Sequence, residues 1–325
     1  MSFPAFHRRQ VLLSAMSLVL PARALAADTP AGWPQAKPIT WLVGFPAGGS
    51  VDVLTRVAAR ELAQKTGQSV VVENRPGASG ALALAAAAKA APDGYTLVTV
   101  PGPGLHKTRM PELGPDLAAV SLLAEGPMVL VGGTQTAPAN LAELIEAIRK
   151  DPRAWSYASS GTGTGQHLAG ELMNAMAGTR VAHVPYKGGS QAVTDVVGNQ
   201  VPLGMLGVGP VLSYVKAGRL KAYAVTSTYR SESLPDVPTM QEAGLAGYSA
   251  TQWYACAAPR GTPQGVLTRL NGWLSEIVAS PAMKPSLLAS GSIAGKGSPG
   301  EVQAFCDADT RKWKELAAKV GLALD

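Results

Sequence analysis

The chain has 325 residues, of which 46% are hydrophobic and only 15% are charged. This composition supplies enough apolar material for one large domain or two medium ones. It excludes a disordered chain, a collagen-like repeat and a disulfide-rich miniprotein. Aromatic residues make up 6% whereas the chain holds 36 glycines, so we expect close backbone packing to matter more than large side chains.

The first 26 residues have the three parts of an export signal. Arg8 and Arg9 form a basic start, residues 11–20 are apolar, and Ala24 and Ala26 give a small-x-small cleavage site. Ten apolar positions are too few for a permanent membrane anchor, so the sequence predicts cleavage near Ala26. The paired arginines leave the general and the twin-arginine export routes both open.

The charge balance of the mature chain is mild. Removing residues 1–26 takes away three arginines and no acid, which leaves 25 basic and 22 acidic residues. A scattered excess of three positive charges argues against nucleic acid as a partner and is compatible with an anionic small ligand.

Neither a metal nor a cofactor is predicted, because no His, Cys and acid residues cluster at ligand spacing. Cys256 and Cys306 both lie in apolar stretches, which favours two buried thiols. Export to an oxidising compartment leaves a disulfide between them open.

Strand-like and helix-like segments alternate in the first part of the mature chain. Strands are expected at residues 39–45, 69–74 and 95–100, and helices follow the first two of them, the second being the alanine-rich stretch 81–91. This alternation predicts a largely parallel sheet with helices on both faces.

The same pattern then restarts in a second block. Its strands are expected at residues 127–132, 155–160, 181–186, 220–227 and 253–259. Asn140 with Glu143 and Ser298 with Glu301 form capping boxes that begin two helices. Two α/β blocks without a flexible linker predict two lobes, with a ligand cleft beyond the carboxyl ends of their strands.

Four strand-to-helix turns are made of small residues: FPAGGS (45–50), RPGASG (75–80), SSGTGTG (159–165) and YKGGS (186–190). The first turn of a helix has unpaired N–H groups and the positive end of the helix dipole, and glycine lets an anion approach them. Each turn alone also fits ordinary turn and cap chemistry. Facing one another across a cleft, two such turns would clamp a carboxylate.

A secreted hydrolase using Ser160 and His167 is the enzymatic alternative. The chain has no G-x-S-x-G elbow, and we expect His167 to cap or pack instead of acting as a base. His183, within a strand, is expected in the core or at a sheet edge.

An ordered series of motifs resembles the periplasmic solute receptors of tripartite tricarboxylate transporters, also called Bug receptors. The series covers residues 39–325 and runs FPAGGSVDVLTR, VVENRPGASG, APDGYTLV, YASSGTGTGQHLAGEL, VPYKGGSQAVTDVVGNQV, AGRLKAYAVTS, LPDVPTMQEAG and PRGTPQGVLTRLN. The resemblance implies an α/β, two-lobed periplasmic-binding-protein (Venus flytrap) fold. Each lobe would be a mostly parallel sheet flanked by helices.

The resemblance also implies a function. The chain would be a periplasmic monomer that captures a small carboxylate and delivers it to membrane subunits of the transporter, without enzymatic activity. A periplasmic sensor that signals to a membrane partner is the open alternative.

The resemblance divides the chain and carries over a site. Lobe 1 is expected to comprise residues 38–127 and 255–325, and lobe 2 residues 128–254. Asp52 is expected to cap its helix and not to touch the anion. The ligand-binding residues are expected to be Phe45, Pro46, Ala47, Gly48, Gly49, Ser50, Ser159, Ser160, Gly161, Thr162, Gly163, Thr164, His167 and Leu206.

Two departures from the family pattern bear on the ligand. Leu206 stands where the family usually has an acid, and the divergent loop 101–110 brings His106, Lys107 and Arg109 towards the mouth of the cleft. An ammonium group buried without a counter-charge is costly. The sequence therefore predicts a carboxylate without an ammonium, with an apolar or aromatic body or a second acid group at its far end.

Overall fold

The computed structural model describes residues 29–105 and 110–320. The predicted export signal and the cations His106, Lys107 and Arg109 lie outside the described residues. Within them, ten strands alternate with nine α-helices. The strands are β1 (Ile39–Val43), β2 (Val70–Asn74), β3 (Thr96–Gly102), β4 (Leu117–Gly133), β5 (Ser156–Ser159), β6 (Ala182–Pro185), β7 (Leu203–Gly207), β8 (Leu220–Val225), β9 (Thr251–Pro259) and β10 (Ile293–Ala294). The helices are α1 (Ser50–Thr66), α2 (Ala81–Ala88), α3 (Leu141–Lys150), α4 (Gly165–Ala177), α5 (Gly189–Val197), α6 (Val208–Lys216), α7 (Gln264–Val278), α8 (Lys284–Ser290) and α9 (Pro299–Val320).

The strands pair in the order β2-β1-β3-β9-β4-β7-β5-β6, and β8 and β10 also pair with β4. The neighbours β2, β1 and β3 are parallel, as are β7, β5 and β6, which fits their strand–helix–strand connections. β4 and β9 are antiparallel to their neighbours. The expected parallel order is therefore interrupted where these two strands carry the chain between the two sides of the sheet.

β4 joins two halves of this sheet. Residues 117–127 of β4 pair with β9, whereas residues 128–133 pair with β7 and β8. We call β2, β1, β3, β9, β10 and residues 117–127 the first half-sheet. Residues 128–133 with β7, β8, β5 and β6 are the second half-sheet.

Helices cover both faces of each half-sheet, as the alternating pattern predicts. On the first, Leu54 of α1 and Leu270 of α7 pack against one face, and Leu84 of α2 packs against the other. On the second, Leu168 of α4 lies in one core cluster and Val193 of α5 in another. Alternate strand side chains feed opposite clusters because successive residues of a strand point to opposite faces.

α9 contacts both halves. Its capping box is present, since the Glu301 carboxylate accepts a hydrogen bond of 2.8 Å from the Ser298 amide. Val302 lies in a core cluster of the first half-sheet. Trp313, only 2% exposed, packs among second-half residues that include Tyr157. The two halves are thus connected by β4, by the segment that leads from β8 into β9, and by α9.

The two cysteines are buried free thiols in different core clusters, so the expectation of two buried thiols is confirmed. Burial raises the pKa of the Cys306 thiol to about 12 and that of Cys256 further. Among the described residues, no helix combines the length and apolar character needed to cross a bilayer.

Candidate ligand-binding site

A cavity of about 610 Å³ lies where the two half-sheets meet. Four helix starts contribute to its lining: Gly49 and Ser50 of α1, residues 164–166 of α4, residues 188–190 of α5, and Pro210 of α6. These helices follow β1, β5, β6 and β7, so the cavity lies beyond the carboxyl ends of strands from both halves, where ligands of α/β sheets bind. Its volume is typical of a small-molecule site.

No side chain caps any of these four helices. Their N-cap residues are Gly49, Thr164, Gly188 and Gly207. A helix start without a cap leaves N–H donors unpaired at the positive end of the dipole. Uncapped starts also occur at α2, α7 and α8. It is the convergence of four such starts on one cavity that makes an anion site.

Asp52 fixes the loop before α1. Its buried carboxylate accepts hydrogen bonds from the Gly48 amide (3.0 Å), from Arg56 (2.9 Å) and from Asn74 (2.8 Å). Burial acts to raise the pKa of Asp52, but these hydrogen bonds and the Arg56 charge outweigh burial and lower it. Asp52 does not line the cavity. The expectation that it caps α1 is wrong, because no side chain caps this helix and Asp52 binds the Gly48 amide, which precedes the N-cap residue.

The Ser/Gly/Thr loop is tied mainly to itself and to β6. The Ser159 hydroxyl accepts a hydrogen bond from the Gly161 amide (3.1 Å) and shares one of 2.7 Å with His183 Nε2. The Thr164 hydroxyl donates to the Gly161 carbonyl (2.7 Å). These bonds connect the loop backbone to β6 and to the start of α4.

His167 is part of this support. Its Nδ1 accepts a hydrogen bond of 3.0 Å from the Gly163 amide, and its ring stacks on His183 with 4.0 Å between centroids. Burial, and then the nearby His167, lower the pKa of His183 to about 3. The Ser160 hydroxyl points instead to Thr164 Oγ1 at 3.4 Å. The predictions that His167 caps or packs and that His183 lies in the core or at a sheet edge are confirmed, since β6 is the last strand of the sheet.

Two glutamines that the sequence analysis missed line the cavity with neutral donors. Gln252, at the start of β9, is 7% exposed, and its amide makes no hydrogen bond to another described residue. Gln166 is 9% exposed; its Oε1 accepts a bond of 2.9 Å from the Ser160 amide, which leaves its NH₂ group without a partner in the described chain. Neither amide is among the fully buried polar atoms that lack a partner in the described chain, so both amide groups open into the cavity, where a ligand or water can bind them.

Six of the fourteen predicted site residues line the cavity: Phe45, Pro46, Gly49, Ser50, Ser160 and Thr164. Seven others belong to the same loops or to α4 but do not line it: Ala47, Gly48, Ser159, Gly161, Thr162, Gly163 and His167.

Leu206 lies away from the cavity. It is fully buried in β7, opposite Val129 of β4, and packs in the cluster that holds Val193. Its strand neighbour Met205 faces the opposite cluster, so both faces of β7 are core. Residue 206 therefore cannot balance a ligand charge directly; only the residues that line the cavity can do so.

Those residues carry few charges. In the described lining they are Glu112, Asp307 and Lys314, all with exposed side chains. Lys314 lies one turn after Thr310 on α9 and is the cation of this lining. The apolar part of the lining includes Leu84, Val100, Leu105, Leu113 and Trp253. The described residues hold no group of three or more His, Cys, Asp or Glu that could bind a metal ion.

Comparison with known proteins identifies the family. The profile of the tripartite tricarboxylate transporter family receptor, TctC, matches residues 54–322. BugT of Bordetella pertussis is 33% identical over 320 residues, covering 96% of this chain and 98% of BugT.

Three solved structures share the fold along nearly their whole length. The periplasmic binding protein BugD has a TM-score of 0.82 at 32% identity, covering 88% of this chain and 98% of its own. An R. palustris protein with adipate has a TM-score of 0.85 at 32% identity, covering 90% and 99%. MatC from Rhodopseudomonas palustris with bound malate has a TM-score of 0.80 at 28% identity, covering 86% and 99%.

The family consists of binding proteins and not of enzymes, which removes the hydrolase alternative. The chain therefore belongs to the tripartite tricarboxylate transporter receptor family, and it is a periplasmic solute-binding protein with the α/β fold of BugD.

Proposed function

We propose that the cavity between the half-sheets binds a small carboxylate that carries no ammonium group, and that the chain delivers it to the membrane subunits of a tripartite transporter. The observation that carries this proposal is the convergence of four uncapped helix starts on one cavity, which two glutamine side chains also line. Neutral donors and helix dipoles stabilise an anion without a charged side chain. The adipate and malate bound by the two R. palustris relatives belong to the same chemical class.

The absence of an ammonium rests on the acids of the described lining. Glu112 and Asp307 are both exposed, and the buried carboxylate of Asp52 is turned to Arg56 and Asn74 outside the cavity. A ligand ammonium buried beside the helix starts would meet positive dipole ends and no counter-charge, which is costly. Lys314, by contrast, offers a partner for a second carboxylate.

We further propose that the half-sheets are the cores of two closing lobes, residues 38–127 with 255–325 and residues 128–254. The division is supported by β4 and β9, the strands through which the chain passes from one half-sheet to the other. Helix α9 packs against the cores of both lobes. A hinge of this kind closes when a ligand makes contacts to both sides. The mature chain would act as a monomer after cleavage near Ala26.

Matched ligand pairs test the ligand class. Succinate and aspartate differ by one ammonium group, as do glutarate and glutamate, and calorimetry on the purified mature chain measures each pair. In each pair, we expect the acid without the ammonium to bind at least about tenfold more tightly than the amino acid. Adipate or malate is expected to bind as well. Tighter binding of both amino acids would overturn the proposal, and so would an absence of binding by every acid tested.

Delivery is tested separately in cells. Deletion of the gene is expected to abolish uptake of the labelled acid that binds best in calorimetry, and a copy of the gene is expected to restore it. Unchanged uptake in the deletion strain would contradict a transport role while leaving the binding site intact.

A further inference from the structure

The turn between β2 and α2 has an unusual backbone. Four consecutive residues have positive φ: Gly77 (137°), Ala78 (47°), Ser79 (52°) and Gly80 (97°). Glycine adopts such angles freely, but for alanine and serine the left-handed region is unfavourable. Strain of this kind persists where the surrounding structure requires it, and it concentrates at functional sites.

The strained conformation directs Ser79 across the cavity. Its hydroxyl donates a hydrogen bond of 3.0 Å to the Thr162 carbonyl of the Ser/Gly/Thr loop. The fit is close, because a Cβ atom added to Gly161 would lie 2.8 Å from Ser79 Oγ. Ser79 belongs to the first half-sheet and the loop belongs to the second, and Ser79 itself lines the cavity.

The peptide that Ser79 binds is held on its other side as well. The Thr162 carbonyl accepts from Ser79, while the amide of the same peptide group, that of Gly163, donates to His167 Nδ1 at 3.0 Å. The next carbonyl, that of Gly163, accepts a bond of 2.8 Å from the Leu105 amide, which follows β3 of the first half-sheet. The first half thus binds two successive carbonyl oxygens of the loop, those of Thr162 and Gly163.

We infer that Ser79 is a positioning residue for the ligand site: its hydroxyl locks the Ser/Gly/Thr loop of the opposite half in the orientation that receives the anion. The bond joins the two halves, so it forms when they approach and is lost when they separate. Ser79 thereby strengthens ligand retention through the loop it holds. This role rests on the proposed carboxylate-binding function.

Three variants separate the hydroxyl from the backbone strain. Ser79→Ala removes the hydroxyl and keeps the strain, Ser79→Gly removes both, and Ala78→Gly removes only strain from the neighbouring residue. We expect both Ser79 variants to bind adipate or malate about three- to tenfold more weakly, as for one lost hydrogen bond, with faster dissociation in stopped-flow measurements. Ala78→Gly is expected to bind like the wild type.

Thermal unfolding gives the readout that a merely structural role would not produce. Ala78→Gly is expected to unfold at a higher temperature than the wild type, and Ser79→Gly at a higher temperature than Ser79→Ala, because glycine relieves the positive φ. Ser79→Gly would then be more stable than Ser79→Ala and yet equally weak in binding. Wild-type affinity in both Ser79 variants would overturn the inference. An equal loss of affinity in Ala78→Gly would also overturn it, since loop flexibility would then be the cause.

Amide hydrogen exchange keeps the inference testable without a ligand. In the ligand-free protein, residues 159–164 are expected to exchange faster in Ser79→Ala than in the wild type, and at the wild-type rate in Ala78→Gly. If the wild type binds none of the acids, the proposed ligand class fails, but this exchange difference still supports the Ser79 contact. Equal exchange in all three proteins rejects the contact even when the acids bind.

Discussion

The start of α3, at the surface, is built differently from the four helix starts at the cavity. α3 begins with Asn140, whose Oδ1 accepts the Glu143 amide at 2.9 Å, while the Glu143 carboxylate accepts the Ala139 amide at 2.8 Å. The four helices that begin at the cavity have glycine or threonine at the N-cap and no side-chain acceptor. Uncapped starts also occur away from the cavity, at α7 and α8, so the informative feature is that four of them converge. Under the proposed function, a ligand carboxylate takes in the cavity the place that the capping side chain takes at α3.

The largest effect on affinity is expected when a negative side chain is placed at the start of a helix that begins at the cavity. Gln166→Glu places a carboxylate at the second position of α4, where the Ser160 amide and the helix dipole stabilise it. Because this charge competes with the ligand, we expect affinity for adipate or malate to fall about a hundredfold or more, which is about 2.7 kcal/mol, as measured by calorimetry.

The matched control is Gln264→Glu. Gln264 is the first residue of α7, is exposed and lies outside the cavity, so the same change there is expected to leave affinity unaltered. Equal affinities of Gln166→Glu and the wild type would show that the anion does not bind at the start of α4.

A smaller effect is expected from a neutral donor. Gln252→Leu removes an amide group that lines the cavity and has no hydrogen-bond partner in the described chain. If the ligand carboxylate is that partner, the loss is about 1.5 kcal/mol or more, or tenfold in affinity. The folded protein itself loses no hydrogen bond, so its urea midpoint is expected to stay the same or rise. A lower midpoint with unchanged affinity would assign Gln252 to the fold and not to the ligand.

At the capped start of α3, we expect a substitution to lower stability and to leave ligand affinity unchanged, which is the opposite of the result expected for Gln252. Asn140→Ala removes the acceptor for the Glu143 amide and is expected to lower the free energy of unfolding by about 1 kcal/mol, as measured by urea denaturation. Ligand affinity should not change, because α3 does not contribute to the cavity. A loss of affinity in Asn140→Ala would show that capped and uncapped starts are not functionally separate.

The smallest effect is expected from the one cation of the described lining. Lys314 is exposed, and exposed ion pairs contribute little. Lys314→Met is therefore expected to weaken adipate binding about two- to threefold and to leave hexanoate, which lacks the second carboxylate, unchanged. Equal changes for both acids would mean that Lys314 does not pair with a second carboxylate.

The sequence predicted the helix starts well because their chemistry is local. The loops at 45–50 and 159–164 were recognisable from glycine, serine and threonine alone, and both bring residues to the cavity. Gln252 and Lys314 gave no such signal. They reach the cavity only because β9 returns to the first half-sheet and α9 runs along both halves.

The errors in the sequence-based view have related causes. Residues 117–126 were not recognised as strand because they are apolar almost throughout, and their partner β9 lies far along the chain. Leu206 was assigned to the site by its position in the family motif. Side chains alternate along β7, however, and that of Leu206 points into a core cluster and not towards the cavity. Local patterns thus located elements and turns, while pairing over long distances decided which side chains met.

The contact of Trp313 with the second half-sheet also constrains the order in which the molecule is made. Its partners, among them Tyr157 and Leu168, are synthesised long before it. A growing chain that has not yet reached α9 leaves that hydrophobic cluster without one of its largest members, so the cluster stays incomplete until synthesis is nearly finished. Contacts so distant in sequence also slow folding. The nascent protein therefore spends most of its synthesis without a finished second core, and loss of the last turns of α9 would leave apolar surface open to aggregation.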